Sequence, residues 1–155
     1  MTYTMAEYIE LMGGDLADND ESSYGINCWV YSVSSNLQGR AERSHWNSVF
    51  KVKQPNTVPL FLDSMWRGGG PQWDQARDIQ PPQFNGQWQG AGNEMMHFAM
   101  DRHARGVNGL FADASVRKIK VKQLWEQKWH RQYDTQRSLG MDASWWGPWL
   151  GQEGN

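Results

Sequence analysis

The stretch that decides the fold is Arg102–Arg117, RHARGVNGLFADASVR. Val107 to Ala112 is an apolar, strand-prone run, Ser115 to Ile119 is a second one, and Asp113-Ala114 separates them. Two such runs around a short polar break predict a β-hairpin. The same stretch carries His103 and, ten positions on, Asp113. It therefore admits two readings: an acid–base pair, or a hairpin whose polar residues secure its ends.

Outward from the hairpin, further strand signals recur. Tyr24 to Ser32 (YGINCWVYS) is rich in β-branched and aromatic residues, and Trp46 to Val52 (WNSVFKV) alternates apolar and polar. Val58 to Leu62 (VPLFL) fits a central strand, with Pro59 near its start where a missing N–H is tolerated. His97 to Met100 is a fourth, short candidate. Met5 to Met12 reads as a short helix, capped by Thr4 with Glu7 at capping-box spacing. Val121 to Gln127 reads as another. Asp63 to Glu94, with Gly68-Gly69-Gly70-Pro71 and Pro81-Pro82, is a long loop that Trp66, Trp73, Phe84 and Trp88 are expected to pin down. The tail from Gln136 has no clear period. The sum is an α+β fold: one domain over 1–155, an antiparallel β-sheet with a long packed loop and short helices.

Composition narrows the function. Leu, Ile, Val and Phe make up about a sixth of the 155 residues, and ten tryptophans compensate, because each buries a large apolar area. Net charge is −2 with both signs mixed, which disfavours nucleic acid as a partner. The densest basic run, Arg117 to Lys122, interleaves charge with apolar residues, as a strand with one solvated face does. The single cysteine, Cys28, allows no intrachain disulfide and reads as a buried structural thiol. No stretch reaches the ~20 apolar residues that span a bilayer. Met1 to Met5 leads into polar, acidic sequence without a secretory signal, so the chain alone reads as soluble.

Two segments carry a family resemblance. One is Arg102-His103 with Asn108-Gly109-Leu110-Phe111-Ala112-Asp113 and Val116-Arg117-Lys118. The other is Leu124-Trp125 with Lys128-Trp129-His130-Arg131 and Tyr133-Asp134-Thr135. Together they resemble the C-terminal part of bacterial prepilin-like proteins, the pseudopilins of the H-x9-DG type. Tyr24 to Val30, Val58 to Asp63 and Trp66 to Pro71 fit the same family, so the resemblance covers roughly 24–135 and leaves the tail, 136–155, outside. His103, Asp113, Trp125, Trp129, His130 and Arg131 are the motif positions. The family's Asp-Gly is here Asp113-Ala114, although glycine suits such a turn better. The family's prepilin-peptidase site and long apolar N-terminal helix are not seen in this chain. The resemblance implies a pilin-like globular domain lacking that helix. It also implies an extracytoplasmic structural role in a type II secretion or pilus-like assembly, with other pilin-like subunits or secretion components as partners. Membrane contact would come only through the helix not seen here. In pilin-like folds that helix covers one sheet face. The face is therefore expected to be covered by Met5 to Met12 or by the Trp-rich tail, or else to present a contiguous apolar patch.

The chemistry-bearing residues support several further readings. A hydrolase would use His103 with Asp113 or Asp63 and a nucleophile such as Ser64 or Ser115. No GxSxG context is present, and the chain reads as a non-enzyme. Zinc at His97 and His103 lacks ligand spacing. No cofactor is required, although Asp63, Asp101, Asn108 and Asp113 offer the hard oxygen ligands that calcium takes. The plainer reading makes Asp113 a turn former. His103 then bonds a carbonyl or Asp113, and Arg102 or Arg105 pairs with Asp101 or Asp63. A competing function class is a carbohydrate-binding or surface-adhesion module. It would stack glycans on Trp66, Trp73, Trp88, Trp145, Trp146 and Trp149, and it requires several exposed, coplanar Trp rings.

Overall fold

The computed structural model describes residues 3–4, 21–72, 93–142 and 144–151. The hairpin forms one side of its main sheet. Strand β6 (Gly106–Phe111) pairs antiparallel with β7 (Val116–Lys120). β6 also pairs with β4 (Pro59–Asp63), and β4 with β3 (Tyr24–Asn27), both antiparallel. The fifth strand, β5 (Gly68–Gly69), lies parallel to β3. The sheet order is β5-β3-β4-β6-β7. The fold is α+β, and the open sheet is mixed rather than wholly antiparallel. A two-residue ladder of β1 (Tyr3–Thr4) and β2 (Glu21–Ser22) stands apart from it.

The hairpin turn is made without glycine. Ala114 N donates to Phe111 O at 2.9 Å, and Phe111 N to Ser115 O at 2.9 Å. Ala114 has φ 65°. This is a three-residue loop closed by a left-handed residue, the position where glycine is favoured. Asp113 Oδ1 accepts from Ser115 N (3.0 Å) and Ser115 Oγ (2.6 Å), fixing the turn from inside.

Asn27 ends β3. Its Oδ1 accepts from Trp29 N at 3.1 Å. That bond turns the chain into a 3₁₀ turn, Cys28–Val30, where the sequence suggested strand as far as Ser32. The side chain is wholly buried, and its Nδ2 donates to Pro59 O (2.9 Å) and Trp129 O (3.0 Å). One amide thus ties β3 to the start of β4 and to the Lys128–Arg131 segment. Gly25, two residues earlier, sits where a Cβ would lie 2.5 Å from Trp66 O, so only glycine allows that approach.

Two expected strands are absent. Trp46 to Val52 alternates, but Asn47 takes φ 56° and its Oδ1 accepts from Val33 N at 2.8 Å. The left-handed residue breaks the extended chain, which continues into a 3₁₀ turn at Val49–Lys51. His97 to Met100 starts on the last residue of another 3₁₀ turn, Glu94–His97, and is buried throughout. A short apolar run of that kind does not distinguish a strand from a core segment. Val121–Glu126 is helical, but 3₁₀ rather than α. Met5 to Met12 lies outside the described residues.

One face of the sheet carries the core. Leu62, Val107, Phe111 and Ile119 pack against Met95, Phe98, Trp125 and Trp129, and the tail adds Trp146 and Leu150. Leu150 belongs to the terminal helix α1 (Gly147–Gly151). The tail therefore folds onto the core side. The other face presents an apolar row. Ile26 is opposite Phe61, Phe61 opposite Leu110, and Leu110 opposite Val116. Phe61 is 45% and Val116 71% exposed.

Because Ala in a left-handed turn costs about 1–2 kcal/mol relative to a relaxed residue, Ala114→Gly should stabilise the chain by about 1 kcal/mol after glycine's extra chain entropy is deducted. Urea denaturation reads this directly, and a destabilised variant would mean the turn is not left-handed at position 114.

Candidate functional site

The polar residues fall into separate clusters. The first surrounds Asp63 at the end of β4. Its side chain is buried, a costly place for a carboxylate unless it is paired. Asp63 Oδ2 accepts from Asn108 N (2.6 Å) and faces His103 Nε2 (3.0 Å), while Oδ1 faces Arg102 Nη1 (3.4 Å). Arg102 Nη1 also donates to Ser23 O at 2.8 Å. The loop that delivers His103 turns at Ala104 and Arg105, with φ 47° and 57°, and His103 N donates to Gly106 O at 3.0 Å. Two consecutive left-handed residues define a type I′ turn, here without the usual Asn-Gly. Asp101 Oδ1 braces it by accepting from Arg105 N at 2.6 Å.

This geometry decides among the arrangements drawn from the sequence. Arg102 pairs with Asp63, as one alternative held. His103 meets Asp63 and not Asp113, because Asp113 sits past the opposite end of β6, where its Oδ1 is bound to Ser115. The four oxygen-bearing residues considered for calcium are divided in the same way. Asp63 takes the backbone of Asn108, Asp101 serves its own turn, and Asp113 closes the hairpin. Among the described residues, no group of three His, Cys, Asp or Glu side chains is placed to hold a metal ion. Ser64 Oγ is committed to Trp66 O (2.5 Å) and His97 O (2.9 Å), and Ser115 Oγ to Asp113. Neither serine is poised on His103. What the Asp63 cluster does chemically is neutralise a buried carboxylate and clasp the start of β6 to the end of β4.

The second cluster was not foreseen from the sequence. Trp29 is buried between two imidazoles, with ring centroids 5.0 Å from His45 and 4.5 Å from His130. Tyr133 meets His130 edge-on at 5.4 Å, and Trp29 Nε1 donates to Pro71 O at 2.9 Å. His130 Nδ1 accepts from Gln132 N at 3.2 Å, so the neutral ring carries its proton on Nε2. That atom is buried and meets no hydrogen-bond partner among the described residues. Burial, then the Lys128 cation and His45, lower the His130 pKa to about 3. Burial and the Arg40 cation lower that of His45, and burial raises those of Tyr133 and Cys28. Cys28 is accordingly a protonated structural thiol. Beside this stack, Glu94 Oε2 takes both Arg40 Nη2 and Gly70 N, and His97 Nδ1 lies 2.7 Å from Gly68 O. The glycine run was the one signal of this close approach.

The motif positions resolve into structural work. Trp129 is buried and stacks on Phe98 at 4.9 Å. Its carbonyl accepts from both Asn27 Nδ2 and Trp46 Nε1, each at 3.0 Å. Arg131 N donates to Ser44 O at 3.1 Å, and its side chain is exposed. Of the tryptophans proposed as stacking platforms, Trp146 is buried and Trp145 packs half-buried against the core. Their rings are close to perpendicular, at 83°. Trp66 is half-buried. Trp73, Trp88 and the side chain of Trp149 lie outside the described residues. No helix among the described residues is long and apolar enough to cross a membrane. Comparison with known protein families, with curated proteins and with solved structures finds no match to this chain.

The neutral histidines make stability depend on pH. His130 titrates near 6.5 when unfolded and near 3 when folded, so the unfolded chain binds the proton first. Its contribution is complete above pH 6.5 and is lost as pH falls from there towards 3, at up to ~1.4 kcal/mol per pH unit. From pH 7.5 to 5 the chain should lose about 2 kcal/mol through this residue. Urea midpoints of wild type and His130→Phe across that range check it, and equal slopes would contradict it.

Proposed function

We propose that the chain is a non-catalytic, pseudopilin-like structural domain that works by packing against an apolar helix in a type II secretion or pilus-like assembly outside the cytoplasm. The observation that supports this most is the apolar row Ile26–Phe61–Leu110–Val116. It crosses four strands at one level, on the face opposite the core. Tyr24, 56% exposed, extends it along β3. A sheet whose outer face met only water would alternate to polar side chains there. A row of this kind, with Phe61 and Val116 exposed and Ile26 and Leu110 half-buried among polar neighbours such as Asn108, Lys118 and Lys120, is what a helix with one apolar stripe would cover. Other pilin-like subunits or secretion components would then be the partners.

A structural role also fits the way the polar groups are used. His103, Asp63, Asp113, His130 and the two serines are each engaged in holding loops or strand ends. The adhesion reading has less support, since the described tryptophans do not form an exposed, coplanar strip.

Two measurements test the proposal. The DNA immediately upstream of the first codon should encode, in frame, an apolar helix behind a prepilin-peptidase cleavage site. On the protein, Phe61→Lys and Val116→Lys should change stability by no more than ~0.5 kcal/mol, as surface substitutions do, while abolishing binding of a hydrophobic dye and incorporation into the assembly. Normal incorporation of both variants, or an upstream sequence without such a helix, would sink the reading.

A further inference from the structure

Phe50 is the most exposed apolar side chain among the described residues, at 96%. It stands on the 3₁₀ turn Val49–Lys51. Beside it is an apolar cleft of about 220 Å³ lined by Val30, Trp46, Val52, Val58, Leu60 and Ala112. Asn47 and Ser48 also line the cleft, so the lining residues Ser48 and Val52 bracket Phe50 in sequence. The knob therefore stands at the rim of the hole and points away into solvent. Cavities of roughly 150 Å³ hold a benzene ring, so the cleft has room for one phenyl group and little more.

We propose that this edge of the molecule is a self-association surface, in which Phe50 of one copy enters the cleft of a second copy and receives that copy's Phe50 in return. Three observations favour a second copy as the occupant. Knob and hole lie side by side on one surface, the condition for a two-fold contact in which each partner gives and receives the same group. The cleft matches a single ring, the group the same surface offers. The flanking charges are also complementary. Lys51, next to the knob, and Asp113, next to the cleft-lining Ala112, are both exposed, so the exchange brings a cation of each copy towards a carboxylate of the other. The inference rests on Phe50, the cleft and the two flanking charges, and is independent of the open sheet face.

Two rings exchanged across a small interface give a weak dimer. Sedimentation velocity of the full chain should show a dimer fraction that rises with concentration between about 10 µM and 1 mM. Phe50→Ser alters only a solvated side chain and should weaken association at least tenfold while the unfolding midpoint is unchanged. Ala112→Phe, which fills the cleft from within, should do the same while leaving Phe50 in place. A wild type that stays monomeric throughout, or a Phe50→Ser variant that associates as wild type does, would overturn the proposal. Polymers growing beyond the dimer would overturn the two-fold exchange.

Discussion

The amide of Asn27 is the constraint on which the rest of the structure depends. It is wholly buried, and three of its four hydrogen-bonding positions are used by the backbone of Trp29, Pro59 and Trp129. A buried amide left unsatisfied costs a few kcal/mol, so the three segments cannot move apart independently. The bond to Trp29 stops β3 and aims the Trp29 ring between His45 and His130. The bond to Pro59 sets where β4 begins, which proline could not do through an N–H of its own. The bond to Trp129 brings a segment 102 residues away onto the sheet. From there Lys128 N reaches Thr57 O and Arg131 N reaches Ser44 O, so the long β3–β4 connection is held at two points by the same junction.

A chain poor in aliphatic residues needs such junctions. Its core is built from Trp29, Trp125, Trp129 and Trp146, whose indoles bury much area but carry a polar N–H that has to be placed. Trp29 and Trp129 donate theirs to the carbonyls of Pro71 and Leu124. Side-chain-to-backbone bonds therefore add to packing in holding the core, one local (Trp129 to Leu124) and one across 42 residues (Trp29 to Pro71). The polar residues that first suggest chemistry, His103, Asp63 and Asp113, belong to the same economy. Each secures the end of a strand, and they do so at opposite ends of β6.

The sequence made the hairpin legible because local information sufficed: two strand-prone runs with a short polar break between them, although the loop spans three residues, Ala112 to Ala114, and not the two of Asp113-Ala114. β4 was legible for the same reason, and so was the pairing of Arg102 with Asp63 as one alternative. The parallel β5 was not, since two glycines carry no strand signal and their pairing with β3 depends on the bend at 64–67 that follows β4. Trp46 to Val52 was misleading because its alternation is real while one left-handed residue, Asn47, cancels it. The His45–Trp29–His130 stack and the Arg40–Glu94 pair join loops far apart in the chain, and no spacing rule reaches that far. Of the six motif positions drawn from the resemblance to prepilin-like proteins, Trp125, Trp129 and His130 are buried, whereas His103, Asp113 and Arg131 are exposed. The resemblance gave no hint of what they touch.

Native-state hydrogen exchange followed residue by residue tests the account most directly. If the Asn27 junction unites the sheet and the loops, then Lys128 and Arg131, although they lie in a segment without regular structure, exchange their backbone amides only by global unfolding, at the same free energy as Leu62 and Val107 in the central strands. Exchange of Lys128 and Arg131 through a separate opening of distinctly lower free energy, with the central strands still protected, would contradict it.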